Sequence, residues 1–108
     1  PPMSGSGTLE IRLFGSFRVL VDGRPVDDGA WGRRKSKTLL KLLALTPNRE
    51  MHREQLAELL WPEAEPGVAQ NNLHKTIHAA RRALQPDLKE GRGSLYLSNI
   101  EDRLALTA

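Results

Sequence analysis

The chain of 108 residues contains no cysteine. That absence excludes a disulfide scaffold, a thiolate zinc site and a cysteine nucleophile, and it fits a cytosolic setting. Aromatic residues are few, with two Phe, two Trp and one Tyr. Leucine must therefore build most of a core that is sufficient for one domain but not thick. No apolar run approaches the roughly 18 residues that a membrane-spanning helix requires. The opening PPMSGSG lacks the apolar segment of a signal peptide and is expected to be a flexible leader over residues 1–8, followed by a single domain over 9–108. No glycine-rich phosphate loop follows a strand, and there is no GxSxG, paired-carboxylate or triad context. The chain is expected to be no enzyme, to need no cofactor and to hold no small-molecule substrate. His74 and His78 are four residues apart, yet no third ligand lies near them in sequence, so no metal is expected.

Acid is missing in two long stretches. Gly29 to Arg49 holds none, but contains Arg33, Arg34, Lys35, Lys37, Lys41 and Arg49. Pro66 to Pro86 also holds none, and contains Lys75, Arg81 and Arg82. The net charge of +3 is mild, but its segregation points to a basic surface facing a polyanion. A membrane surface would also attract cations, but it would want an apolar face beside them. The plainer alternative is a pair of solvated charge runs.

The chain begins with strand patterns. Leu9 to Phe14 alternates apolar and polar residues, as does Phe17 to Val21, and Asp22-Gly23 is a turn signal leading to a short third strand at Arg24 to Val26. Pro25 lacks an N–H, so this strand belongs at an edge or begins one. A first helix is expected from about Lys35 to Leu45, with Leu39, Leu42 and Leu43 on one face, ended by Thr46-Pro47-Asn48. The cluster Arg33, Arg34, Lys35 and Lys37 at its start opposes the helix dipole, so a role in contacting phosphate is plausible. Glu50 to His52 reads as briefly extended. Arg53 to Leu60 reads as a second helix burying Leu56, Leu59 and Leu60. Trp61 to Gly67 is a loop that contains two prolines and a glycine.

The longest helical pattern runs from Pro66 to Leu84. Ala69, Leu73, Ile77, Ala80 and Leu84 recur on one face. At about 100° per residue the opposite face carries Asn71, Asn72, Lys75, His78, Ala79 and Arg82. Amides and cations without acid suit base edges and phosphates. The ordinary alternative is a solvated helix face, with Asn71 and Asn72 serving as local caps. Beyond a polar connector, Leu95 to Leu97 and Leu104 to Leu106 read as two strands linked by Ser98 to Arg103, a hairpin placed like a wing.

Those pieces, in that order, carry a resemblance. LFGSFRVLVDGRPV, RRKSKTLLKLLAL, NREMHREQLAELLWPE and AQNNLHKTIHAARRAL resemble the OmpR/PhoB-type winged-helix DNA-binding domain. The closer likeness is to the version heading bacterial activators of the antibiotic-regulatory (SARP, BTAD-linked) class. The Leu60-Trp61 pair, Asn71, Leu73 and the Arg81-Arg82-Ala83-Leu84 run match its pattern. The resemblance implies an α+β winged helix-turn-helix with an N-terminal antiparallel sheet, three helices and a C-terminal hairpin wing. It also implies sequence-specific binding of double-stranded DNA in the bacterial cytoplasm, at the nucleoid, by a piece of a longer transcriptional activator. The helix at about 67–84 would enter the major groove. Positions matching Asn71, Asn72, Lys75 and Ala79 would face bases. Those matching His78, Arg81 and Arg82 would face phosphates or groove walls, and Arg103 would be the wing's cation. The loop with Trp61, Glu63 and Glu65 would touch RNA polymerase, and two domains would bind direct repeats in tandem. Ala79 stands where such domains commonly carry Arg, Glu101 and Asp102 put acid at the wing tip, and His52 replaces the usual hydroxyl cap of the second helix. The alternative function is a winged-helix protein-interaction module that does not bind DNA.

Overall fold

The computed structural model describes residues 9–12, 17–85 and 96–107. The leader, the continuation of the first strand to Phe14, the connector 87–94 and Leu95 lie outside the described residues. Three strands come first: β1 (Leu9–Arg12), β2 (Arg18–Val21) and β3 (Arg24–Pro25). They form an antiparallel sheet in that order, with Leu9 opposite Val21 and Leu20 opposite Pro25. Pro25 thus sits at an edge, where its missing N–H breaks no ladder. Asp22 and Gly23 make the β2–β3 turn at φ 52° and 80°, which a glycine adopts without strain.

A 3-10 turn at Asp28–Trp31 then leads into α1 (Arg34–Leu45). Helix α1 buries Ser36, Leu39, Leu40 and Leu43. Leu45 is exposed and Leu42 only half-buried. The buried stripe is therefore rotated from the expected Leu39–Leu42–Leu43 face toward Ser36 and Leu40. The rotation brings the Ser36 hydroxyl under the preceding turn, where it is shared between the Trp31 carbonyl, at 2.7 Å, and the Arg33 carbonyl.

Strand β4 (Glu50–His52) runs directly into α2 (Arg53–Leu60), and α3 (Pro66–Leu84) follows a five-residue turn. In α2 the buried residues are Leu56, Ala57 and Leu60, and Leu59 is exposed. An eight-residue helix presents one narrow face, and Leu59 lies roughly 105° from its centre at about 100° per residue. Pro66 occupies the first turn of α3, where no N–H is needed. Helix α3 buries Ala69, Leu73, Thr76, Ile77, Ala80, Ala83 and Leu84, the expected face widened by Thr76 and Ala83.

The hairpin is β5 (Leu97–Ile100) and β6 (Arg103–Leu106). Its turn is Glu101 and Asp102 alone, with Glu101 at φ 57°, so the expected six-residue link from Ser98 to Arg103 is corrected to a tight turn between longer strands. The cause is register: Leu97 lies opposite Leu106 and Asn99 opposite Leu104, and Leu97, Leu104 and Leu106 are all buried. Strand β6 also pairs with β4, Glu50 opposite Ala105 and His52 opposite Arg103, giving a second sheet in the order β4-β6-β5. His52 precedes α2 without a side-chain cap; instead the Arg53 N–H donates to the Asp102 carbonyl at 2.8 Å. The wing turn thus satisfies one of the helix's otherwise open donors. The architecture is α+β, a winged helix-turn-helix in which α2 and α3 are held between the strand before them and the hairpin after them.

Candidate nucleic-acid interface

The outer face of α3 follows from the inner one. With Leu73, Ile77, Ala80 and Leu84 facing the core, Asn71, Lys75, His78 and Arg82 are exposed, and Asn72 and Ala79 are half-buried at the margins. The Arg82 Nε–H donates to His78 Nε2 at 3.2 Å, a pair one helical turn apart.

Ala79 is covered from one side by the chain before α1. Gly32 passes over it at φ 70°, and a Cβ built on Gly32 would lie 3.8 Å from the Ala79 Cβ. That distance is ordinary contact, so it is the positive φ that favours glycine here. Trp31, 3% exposed, anchors this turn. Its carbonyl accepts from the Arg33 N–H at 2.6 Å as well as from Ser36. Between the turn and α3 runs a groove of about 590 Å³, lined by Ala30, Trp31, Gly32 and Arg33 on one wall and His74, Lys75, His78, Ala79 and Arg82 on the other. Among the described side chains its lining holds cations and imidazoles and no carboxylate. Sequence reasoning missed this second wall, because a Gly-Ala-Trp-Gly segment has no periodicity. The one available signal was a glycine set between a tryptophan and a run of cations.

The other expected cations are placed differently. Arg33 and Arg34 are exposed at the start of α1. Lys37 lies 5.9 Å from the centre of the Phe17 ring. Lys35 turns toward α2: its ammonium donates to the Leu60 carbonyl and stands 5.1 Å from the centre of the Trp61 ring. It thereby caps the C-terminal end of α2 with positive charge, where the helix dipole favours it. Lys35→Met is expected to lower folding stability by about 1–2 kcal/mol in urea titrations, leaving the salt dependence of any DNA binding unchanged. A drop in that salt slope with intact stability would return Lys35 to the phosphate-contacting group. Arg81 is half-buried, and its Nε–H donates to the Leu97 carbonyl of β5 at 3.3 Å. Burial, reinforced by the Arg53 charge, holds its pKa below the ordinary guanidinium value. Arg103 pairs across the sheet with Glu50 at 2.7 Å, both partly solvated.

A second groove, of about 880 Å³, lies between α2, the α2–α3 turn and the wing. Trp61, Pro62 and Ala64 contribute apolar surface, and Glu54, Glu58, Glu101 and Asp102 line it with acid against the single cation Arg53. Glu63 and Glu65 are exposed on the turn beside it. The domain is therefore two-faced, basic along α3 and the Arg33 turn, acidic around α2 and the wing tip.

Comparison with known families gives a match. The family described as transcriptional regulatory protein, C-terminal, matches residues 30–97, from the turn before α1 to the first residue of β5. The chain belongs to that family. Its members are OmpR/PhoB-type DNA-binding domains of winged-helix fold, a regulatory family rather than one of enzymes. DNA binding in transcription regulation is accordingly the function of this regulatory domain. No curated protein and no solved structure matches the chain. Within the regulatory domain, no group of described residues could hold a metal ion. No helix among them is long and apolar enough to cross a membrane.

Proposed function

We propose that this regulatory domain is the DNA-reading part of a bacterial transcriptional activator of the antibiotic-regulatory type, and that α3 lies in the major groove of its operator. The observation that carries the reading is the exposed, acid-free face of α3 running alongside Arg33 of the turn before α1. Asn71, Asn72 and Lys75 read base edges, with Ala79 close to the groove floor. An asparagine amide can satisfy both edge groups of an adenine, and each such pair discriminates by about 1–3 kcal/mol. Arg33, Arg34, Lys37, His78 and Arg82 contact phosphates. Arg103 reaches the backbone only by leaving Glu50, so the wing contributes little. Two domains bind direct repeats in tandem, and the turn with Trp61, Glu63 and Glu65 faces RNA polymerase.

A titration of the domain with duplex DNA at several salt concentrations tests the reading. Neutralising three to five phosphates gives a log K against log salt slope of about −3 to −4.5, at about −0.9 per phosphate. A flat response would remove DNA as the partner. That outcome would favour the protein-interaction reading, which has its own support in the acidic, partly apolar groove beside the wing.

A further inference from the structure

Among the described residues the large apolar side chains left exposed are Leu45, Leu59, Val68 and Ile100. Single exposures of this kind are ordinary, and Leu45 ends α1, Leu59 lies on α2 and Ile100 ends β5. Val68 differs by its place on α3. At about 100° per residue it lies within about 20° of Lys75 and Ala79, about 40° from Asn72 and about 60° from Asn71. It points opposite to the buried Ile77. Val68 thus stands on the centre line of the outward face, one turn before Asn71 and Asn72, and is 52% exposed. Its neighbours Pro66, Ala69 and Gln70 line the acidic groove on the other side of the helix, and Val68 is not among that lining. A Cβ built on Gly67 would meet nothing within 4 Å, so the first turn of α3 is open. Folding gives no reason for a valine here. The start of a helix favours acid, which the first turn of α3 lacks, and a β-branched side chain loses rotamer freedom in a helix without gaining burial.

We propose that Val68 is a specificity-determining residue, which packs on the 5-methyl group of a thymine in the major groove close to the base pair read by Asn72. The inference rests on the DNA reading above and adds an apolar contact to its polar ones. The thymine methyl is the apolar group that base pairs display in the major groove, so an apolar side chain there separates thymine from the other bases. The N-terminal residues of a recognition helix are the ones that meet base edges. Val68, Asn71, Asn72 and Lys75 follow one another at steps of three, one and three. Recognition helices of other DNA-binding folds present their base-contacting side chains at those same steps, with an asparagine in the third place taking adenine. At about 1.5 Å per residue, Val68 stands about 6 Å along the helix axis from Asn72, or roughly two base steps. The thymine therefore falls within about two base pairs of the pair that Asn72 reads. Valine carries no charge and no hydrogen-bonding group, so its contact adds selectivity without adding to the salt dependence of binding.

The test uses a duplex carrying the site recovered by in vitro selection, with thymine replaced by uracil at one position at a time. Uracil lacks only the methyl group and keeps every hydrogen-bonding group of thymine. With the wild-type domain, one such replacement is expected to weaken binding about fourfold, the worth of burying one methyl group. Its position should lie within about two base pairs of the pair at which Asn72→Ala relaxes selectivity. Val68→Ala should bind the thymine duplex about fourfold more weakly and be indifferent to that uracil, as two partners in direct contact require. Val68→Ile keeps the apolar contact and should keep the preference for thymine. Val68 is exposed and alanine is the better helix former, so Val68→Ala should unfold no earlier than the wild type, which separates a lost contact from a lost fold. A wild type indifferent to every uracil, or a Val68→Ala variant that keeps the uracil sensitivity, would overturn the proposal. Equal weakening of the selected site and of random duplex by Val68→Ala would overturn it too. Site-selective binding without methyl dependence removes only the role of Val68, whereas no binding to any duplex at low salt removes the DNA reading along with it.

Discussion

Replacing Trp31 by alanine is expected to destabilise the domain by about 3–5 kcal/mol, the range for truncating a buried large aromatic. In thermal unfolding of a domain of about 100 residues that is a fall in Tm of at least ~12 °C. Trp31 is 3% exposed and fills the space between the start of α1 and the outer margin of α3. Its backbone is equally engaged, since its carbonyl takes the Ser36 hydroxyl and the Arg33 N–H. Losing the ring therefore loosens the turn that carries Gly32 over Ala79 and points Arg33 into the groove. A functional deficit should accompany the stability loss even at temperatures where the variant is folded. Trp31→Phe should cost less than half as much, because the buried indole Nε1–H has no partner among the described residues and removing it sacrifices no hydrogen bond to them. A stability loss below about 1 kcal/mol for the alanine variant would mean that the turn is a loose lid and that Arg33 is not fixed by it.

The second large effect is a contrast between two cations on one helix face. Lys75→Ala is expected to weaken binding to a site recovered by in vitro selection by about 10- to 100-fold, while changing affinity for random duplex by only a few-fold. That is what losing a base contact worth about 1–3 kcal/mol produces. Arg82→Ala should weaken both duplexes alike and make the salt slope shallower by about 0.9, one phosphate's share. The two residues are both exposed on α3 and line the same groove, so the contrast depends on their reach and not on general charge. Equal losses on both duplexes for Lys75→Ala would remove it from the base readers and leave Asn71 and Asn72 to carry the discrimination.

What could be read beforehand depended on how local the determinants were. The extent of α3 was fully legible, because Pro66 opens it, apolar residues repeat on one face and Gln85-Pro86 closes it. The edge position of Pro25 was legible for the same reason. The face of α2 was misjudged at Leu59, since an eight-residue helix offers too few turns for periodicity to separate a core leucine from a neighbour. The wing turn was misplaced because Ser98 and Asn99 look like turn residues, whereas Glu101 at positive φ does not; register with the buried Leu104 and Leu106 decided it. The destination of Lys35 could not be read at all. Its position in sequence put it with the arginines beside it, and only the packing of α1 against α2 showed that the Leu60 carbonyl lies within its reach. The pairing of β4 with β6 was hidden likewise, its partners lying at opposite ends of the helical segment.

That β4–β6 pairing has a kinetic meaning. Glu50 and Ala105 are neighbours in the sheet, so the strand pair closes a loop that contains both α2 and α3. Loop closure of this size carries an entropic cost that contacts within the helices do not, and long-range strand pairing is correspondingly slow. The helices should therefore form early and the sheet last. Until the sheet closes, the first N–H of α2 has no carbonyl from Asp102 to donate to, and Arg81 has no β5 carbonyl to hold. The finished orientation of α3 is then reached only at the end of folding, in the same step that completes the domain. A chain interrupted before its last strand would hold a helix of the right sequence with no fixed direction in which to present it.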